Sequence, residues 1–302
     1  MITQTQQLTT TANLDQVTNQ LQNWLVQQLN ESALAWLDQT IQQLLESASE
    51  RVLFTRFSAT SRQVGKADLA LTEEDLKTAH RLRAGWMPRQ WSIDQAARTL
   101  LLLQFPSADA DRYANAVEKL FSAADVAEQV ALYQSLPLLP HPERFKARAI
   151  EGLRTNIKVV FNAIVLHNPY PADYFNEAAW NQMVLKAIFV ESYLSQIQKL
   201  DERANAALAR MLSDYAHERW AAKRSVNSQL WRAIGPFVEG ALISDLSHVL
   251  LYGGSVEKAA AALACARVST PEAQSLLDSV PVLKQQIASQ QLTWESLSQS
   301  SL

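Results

Sequence analysis

LDQVTNQLQNWLVQQLNESALAWLDQTIQQLL, residues 14–45, carries apolar side chains at spacings of three and four: Val17, Leu21, Trp24, Leu25 and Leu29, then Leu34, Leu37, Ile41, Leu44 and Leu45. That is the period of an α-helix with one face turned inward. The same rhythm recurs along the chain. No segment shows the sustained alternation of a half-buried strand. Seven glycines in 302 residues leave little for the tight hairpins of an all-β fold or for a phosphate-cradling loop, both of which use positive φ. The fold expected is all-α, with stacked antiparallel helix pairs of HEAT-like α-α superhelical type.

Outward from that stretch, a basic helix is expected over about 51–62. Thr72–Glu73–Glu74–Asp75 reads as a helix start, because acids suit the positive N-terminal end. Ser92 and Gln95 have the spacing of a capping box, and the helix after them ends at Pro106. Two short helices are expected over about 109–122 and 124–135. Pro137, Pro140 and Pro142 form a rigid turn before a long helix over 143–166, which Pro169 and Pro171 close. Helices are then expected over about 175–196, 200–222, 227–251, 255–266, 271–279 and 281–290. Residues 1–12 are Thr/Gln-rich and read as a mobile tail. Residues 13–302 read as a single helical domain with a sub-boundary near 63–91.

Composition removes several function classes. The net charge is −3 and the sequence pI about 6.0, without the basic excess of a nucleic-acid binder. Cys265 stands alone, so an internal disulfide is excluded and a reducing compartment fits. The N-terminus lacks the basic and apolar regions of a secretory signal. The longest apolar run, LLLLQF at 100–105, falls far short of the roughly 18–20 residues of a membrane span. A cytoplasmic protein without a transmembrane segment is expected. The five histidines are scattered with no metal-ligand spacing, the Gly65–Lys66–Ala67 triplet is not a P-loop, and no G-x-S-x-G elbow occurs. No cofactor and no metal is expected.

Two constellations remain. Arg210, Asp214, His217 and Glu218 share one helix face, where an Asp can orient a His as an acid–base pair. The same face suits a surface ion-pair network. His167–Asn168–Pro169–Tyr170–Pro171 closes a helix, and His167, Asn168, Tyr170 and Tyr174 are candidates to line a pocket mouth, with Asn181 further along. Arg154 and Lys158, four apart, repel unless an anion or acid sits near them. Arg144, Lys146 and Arg148 extend this basic side, and Arg51, Arg56, Arg62 and Lys66 could complete a concavity for an anion. The eight tryptophans read mostly as core or cap packing.

The blocks RAGWMPRQWSIDQAARTLLLL (83–103), EGLRTN (151–156), HNPYPADYFNEAAWNQMVLKA (167–187), DERANAALARMLSDYAHERWAA (201–222) and LTWESL (292–297) resemble the EboA family in order and spacing. The resemblance runs from about residue 50 to the end and is weaker over the first 45 residues. It implies a place in bacterial gene clusters alongside a prenyltransferase-like membrane protein and metal-hydrolase-like and sugar-isomerase-like enzymes. Such clusters are tied to the biosynthesis or traffic of specialised metabolites, such as indolic or phenolic pigments. It implies a pathway and not a reaction. Two functions follow as expectations. One is a non-catalytic helical scaffold or metabolite-binding protein, whose partners are other proteins of the same cluster or a small-molecule metabolite. The other is an enzyme with a pocket between helices 143–166 and 200–222, where Asp214 and His217 act on a small anionic or aromatic metabolite held by Arg154 and Tyr170 or Tyr174.

Overall fold

The computed structural model describes residues 4–299, with side chains over 14–297. The tail expected over 1–12 therefore lies outside the fully described residues. Among the described residues the chain is helical throughout, and the one β feature is an isolated bridge between Asp68 and Ser92. Among the described residues no helix is long and apolar enough to cross a membrane. The chain divides into two compact units, Met1–Phe175 and Asn176–Leu302.

The N-terminal unit contains α1 (Gln4–Gln28), α2 (Glu31–Ser47), α3 (Glu50–Val64), α4 (Glu73–Leu82), α5 (Ile93–Gln104), α6 (Ala110–Ala123), α7 (Val126–Ser135), α8 (Lys146–Gly152), α9 (Lys158–Val165) and α10 (Tyr170–Tyr174). Local chemistry sets the boundaries. The Asn30 side chain accepts from the Ala33 N–H and starts α2. Thr72 and Asp75 form a complete capping box at α4, with Asp75 N–H to Thr72 Oγ1 at 3.2 Å and Thr72 N–H to Asp75 Oδ2 at 2.9 Å. At α5 the expected Ser92/Gln95 box is present, with Gln95 Oε1 accepting the Ser92 N–H (3.0 Å), and the Ser92 hydroxyl also donates to Asp94.

The helix α5 is the centre of this unit and packs against α1, α2, α3 and α7. Stacked HEAT-like pairs confine contacts to neighbours along the chain. Here helices far apart in sequence surround one rod. A helix apolar all round belongs inside, and Leu100, Leu101 and Leu102 are all fully buried. So are Asp94 and Arg98. Arg98 Nη1 donates to Asp94 Oδ2 (2.5 Å), Nε donates to the Phe57 carbonyl (3.1 Å), and the guanidinium lies over the Phe57 ring. The stretch 63–91 is stitched to α5, with Leu69 N–H bonding the Trp91 carbonyl and Ile93 N–H bonding the Ala67 carbonyl. The division between units falls instead at 175/176.

The C-terminal unit contains α11 (Glu177–Phe189), α12 (Ala206–Ala221), α13 (Leu230–Ile234), α14 (Ala241–Tyr252), α15 (Ser255–Cys265), α16 (Pro271–Asp278), α17 (Pro281–Ala288) and α18 (Trp294–Gln299). Its central rod is α15, which packs against α13, α14, α16, α17 and α18. Every residue from Ala259 to Cys265 is buried. The short side chains let neighbours come close: a Cβ on Gly235 would stand 3.3 Å from the Ala264 Cα. Burial pushes the Cys265 thiol up to about 11, so it packs as a small hydrophobe. Asp201 joins the unit's outer turns by accepting from Arg232 Nε (3.0 Å) and Nη2 (2.7 Å) and from Arg267 Nη1 (3.0 Å). Burial raises the Asp201 carboxyl, and the two guanidinium groups more than reverse that, leaving it below its ordinary value.

Four expected helices are interrupted or shortened, and of these the one over 175–196 ends at Phe189. The run over 143–166 is a 3₁₀ turn followed by α8 and α9. It breaks after Gly152, where a Cβ would stand 2.4 Å from Tyr133 Oη, and Thr155 Oγ1 accepts the Ile157 N–H in the turn. The run over 227–251 breaks at Gly235–Pro236, because proline offers no N–H, and at Gly240, which sits at φ +53. The run over 200–222 starts only at Ala206, where the Asn205 side chain caps α12.

Candidate functional site

A cavity in the N-terminal unit holds about 300 Å³, at the lower end of small-molecule sites. Three segments wall it. The turn between α4 and α5 supplies Trp86, Met87, Gln90 and Trp91, and Gln95 follows on α5; α7 supplies Val130 and Gln134; α9 and the turn after it supply Val159, Asn162, Ala163, His167 and Asn168.

The sequence RAGWMPRQW explains the first wall. Gly85 turns the chain at φ +82 and Pro88 opens a 3₁₀ turn, so Trp86 and Trp91 come within 6.0 Å of each other. Trp24 closes behind Trp86 at 5.5 Å and is itself fixed by its Nε1–H bond to Asp75 (2.8 Å). The Thr72 hydroxyl lowers the Asp75 carboxyl against the opposing effect of partial burial, and the Trp24 bond adds to that lowering. Trp86 is 1% exposed, yet its Nε1–H has no acceptor among the described residues. Gln134 Oε1, in the facing wall, is likewise buried without a donor. Each such group costs about 1–3 kcal/mol when left unpaired. No Asp, Glu, Lys or Arg lines the cavity. Val159, more than half exposed, and Gln90 form its rim.

The candidates drawn from the sequence fall into three groups. His167 and Asn168 both line this cavity. Asn168 is fully engaged: Nδ2 donates to the Tyr133 (3.0 Å) and Ala163 (2.9 Å) carbonyls, and Oδ1 accepts the Tyr170 N–H, so it locks the HNPYP turn. Tyr170 stays behind the wall, donating to the Pro142 carbonyl (2.6 Å) and stacking on Tyr174 at 4.7 Å.

The basic residues do not gather into an anion site. Arg154 is exposed and pairs with Glu151, Arg144 pairs with Asp111, and Arg148 pairs with Glu118. Lys158 is exposed at the start of α9.

The remaining candidates lie in the C-terminal unit. Asn181 exchanges amide hydrogen bonds with Asn205 (2.8 and 3.1 Å), which holds the cap of α12. Arg210, Asp214 and Glu218 are exposed on α12. His217 turns away from Asp214, and its Nε2 lies 2.6 Å from Oδ1 of the buried Asp245 on α14. Ser213 Oγ donates to the other oxygen of Asp245 (2.6 Å). The carboxylate thus stands between serine and histidine, so the histidine cannot take the serine proton, as a nucleophile triad requires. Among the described residues no cluster of three or more His, Cys, Asp or Glu could hold a metal.

A family model described as Metabolite traffic protein EboA matches residues 17–235, nearly three quarters of the chain. The chain belongs to the EboA family. The matched region begins earlier than the sequence blocks suggested, taking in the second half of α1, and ends at Gly235, so LTWESL lies beyond it. The Trp86 cavity falls wholly inside the EboA-matched region. No curated protein and no solved structure matches this EboA-family chain.

Sequence reasoning missed Trp86, Gln134 and Asp245. A single acid in the otherwise apolar ALISDLSHVLLY segment was a usable signal for Asp245. Nothing in the sequence marks an indole N–H that will lack an acceptor.

Proposed function

We propose that this protein acts in metabolite traffic by binding and not by turnover, holding a small, uncharged, planar aromatic metabolite in the Trp86 cavity. In the same reading it passes that ligand to other proteins of its gene cluster. The observation that carries this is the pair of buried groups of opposite character, a donor at Trp86 Nε1–H and an acceptor at Gln134 Oε1, on two side chains that line a cavity with aromatic walls. A ligand bearing both an acceptor and a donor satisfies the two at once. A charged ligand finds no Asp, Glu, Lys or Arg in the lining to offset its desolvation. The family description, metabolite traffic, agrees with a carrier.

The test uses carbostyril, a neutral bicyclic lactam with one N–H and one carbonyl, and quinaldate, its charged counterpart. In a spectrum of the isotope-labelled protein, the indole N–H signal of Trp86 should shift on adding carbostyril and stay in place with quinaldate. Trp86→Phe keeps the ring and removes the donor, and should weaken carbostyril about tenfold in calorimetry. A Trp86 signal that ignores carbostyril up to its solubility, or moves equally with quinaldate, overturns the reading.

A further inference from the structure

The C-terminal unit has a cleft of its own, about 220 Å³, and its lining differs in kind. Trp231 forms the floor and is fully buried, while Tyr252 stands 76% exposed at the mouth. Between them the rings form a series: Trp231 to Trp220 at 6.0 Å and nearly parallel, Trp220 to His248 at 4.7 Å, and His248 to Tyr252 at 5.0 Å. His217, held by Asp245, packs against Trp220 at 5.6 Å and so fixes one wall.

Two side chains that line this cleft carry unanswered polar groups. Trp231 Nε1–H is buried with no acceptor among the described residues. Arg224 lines the cleft, exposed, and its guanidinium has no acidic partner among the described residues. Glu257 also borders it, but its Oε2 accepts the Gly254 N–H (2.7 Å) and caps α15, where the positive helix end offsets its charge.

We propose that this cleft is a second ligand site, and that it takes a single-ring aromatic carboxylate. The ring stacks among the indoles and the imidazole. The carboxylate supplies the acceptor that Trp231 lacks and the counter-charge for Arg224. A cage of aromatic rings also suits a quaternary ammonium ion. Such a cation brings no acceptor to Trp231 and is repelled by Arg224, so the observations favour the anion. The proposal is independent of the Trp86 cavity, which lies in the other unit and has no charged lining.

Benzoate and its neutral isostere benzamide test it on the isotope-labelled full chain. The indole signal absent from Trp231→Phe, or assigned through bonds if that variant does not fold, reports this site alone. Benzoate should shift it and benzamide should not. Arg224→Ala, an exposed position, should weaken benzoate about tenfold while leaving the carbostyril response at Trp86 intact. Three results overturn the proposal: a Trp231 signal unmoved by benzoate at its solubility limit, equal shifts with benzamide, or undiminished benzoate binding in Arg224→Ala. Because the two sites are read from separate indole signals, failure here and failure at Trp86 are distinguishable.

Discussion

At the centre of the N-terminal unit, α5 buries a charged pair among leucines; at the centre of the C-terminal unit, α15 presents little beyond methyl groups. Both rods are surrounded on all sides, yet the burial problem differs. Around α5, large side chains fill the space, and Arg98 is tolerated because its guanidinium meets Asp94, the Phe57 carbonyl and the Phe57 ring. Around α15, neighbours approach so closely that size is the constraint, as Gly235 against Ala264 shows. The ligand-sized spaces differ in a parallel way. The Trp86 cavity has no charged lining, whereas the Trp231 cleft has Arg224 and Glu257 at its edge. Each has a buried indole N–H without an acceptor, so charge and not aromaticity separates them.

The largest expected effect breaks the comparison at α5. Arg98→Met leaves Asp94 buried and unpaired, and should cost about 3–5 kcal/mol in urea unfolding. Replacing both, Arg98→Met with Asp94→Leu, should restore much of that. If the single variant costs no more than the double, the pair is not what α5 depends on.

Next comes size at α15. Ala262→Val adds two carbons where side chains have no room, and should cost about 1–3 kcal/mol by the same measurement. The equivalent enlargement at an exposed position such as Ala207 should cost well under that. Equal losses would remove close approach as the explanation.

The ligand comparison is sharpened by crossing variants. Gln134→Leu should weaken carbostyril by about fivefold to tenfold and leave benzoate unchanged. A loss of both in calorimetry would show that the two spaces do not act separately.

The smallest effect concerns pH. The Asp201 carboxyl lies below its ordinary value in the folded chain. Its contribution is therefore present above the unfolded carboxylate range, near pH 4, and is lost as pH falls through the depressed folded value. Asp201→Asn should remove about 1 kcal/mol at neutral pH. It should also flatten the acid slope of the melting temperature below about pH 4. An unchanged slope would assign acid sensitivity to other carboxylates.

Much of the framework was legible because it is local. Thr72 and Asp75, and the prolines at 137–142 and 169–171, act on their own backbone, and the structure places helix boundaries there. The breaks inside 143–166 and 227–251 were hidden. In the first, Gly152 fits only because Tyr133 from α7 occupies the space a side chain would need. The sequence offered His217 an acid on its own helix, Asp214, whereas the acid at its Nε2 is Asp245 on α14.

Periodicity, caps and prolines, read along the chain, determined that this protein is helical and where many of its helices start, because hydrogen bonds three and four residues apart need no distant partner. The sequence blocks also fixed the family. Which buried polar groups are answered and which are not was decided only in three dimensions. Trp24, Trp86, Trp180 and Trp231 are alike as letters, yet Trp24 meets Asp75 while the N–H groups of Trp86, Trp180 and Trp231 are buried and unmet among the described residues, and only Trp86 and Trp231 of those three line the two spaces described. That difference depends on where helices remote in sequence place an acceptor, and both binding proposals rest on it.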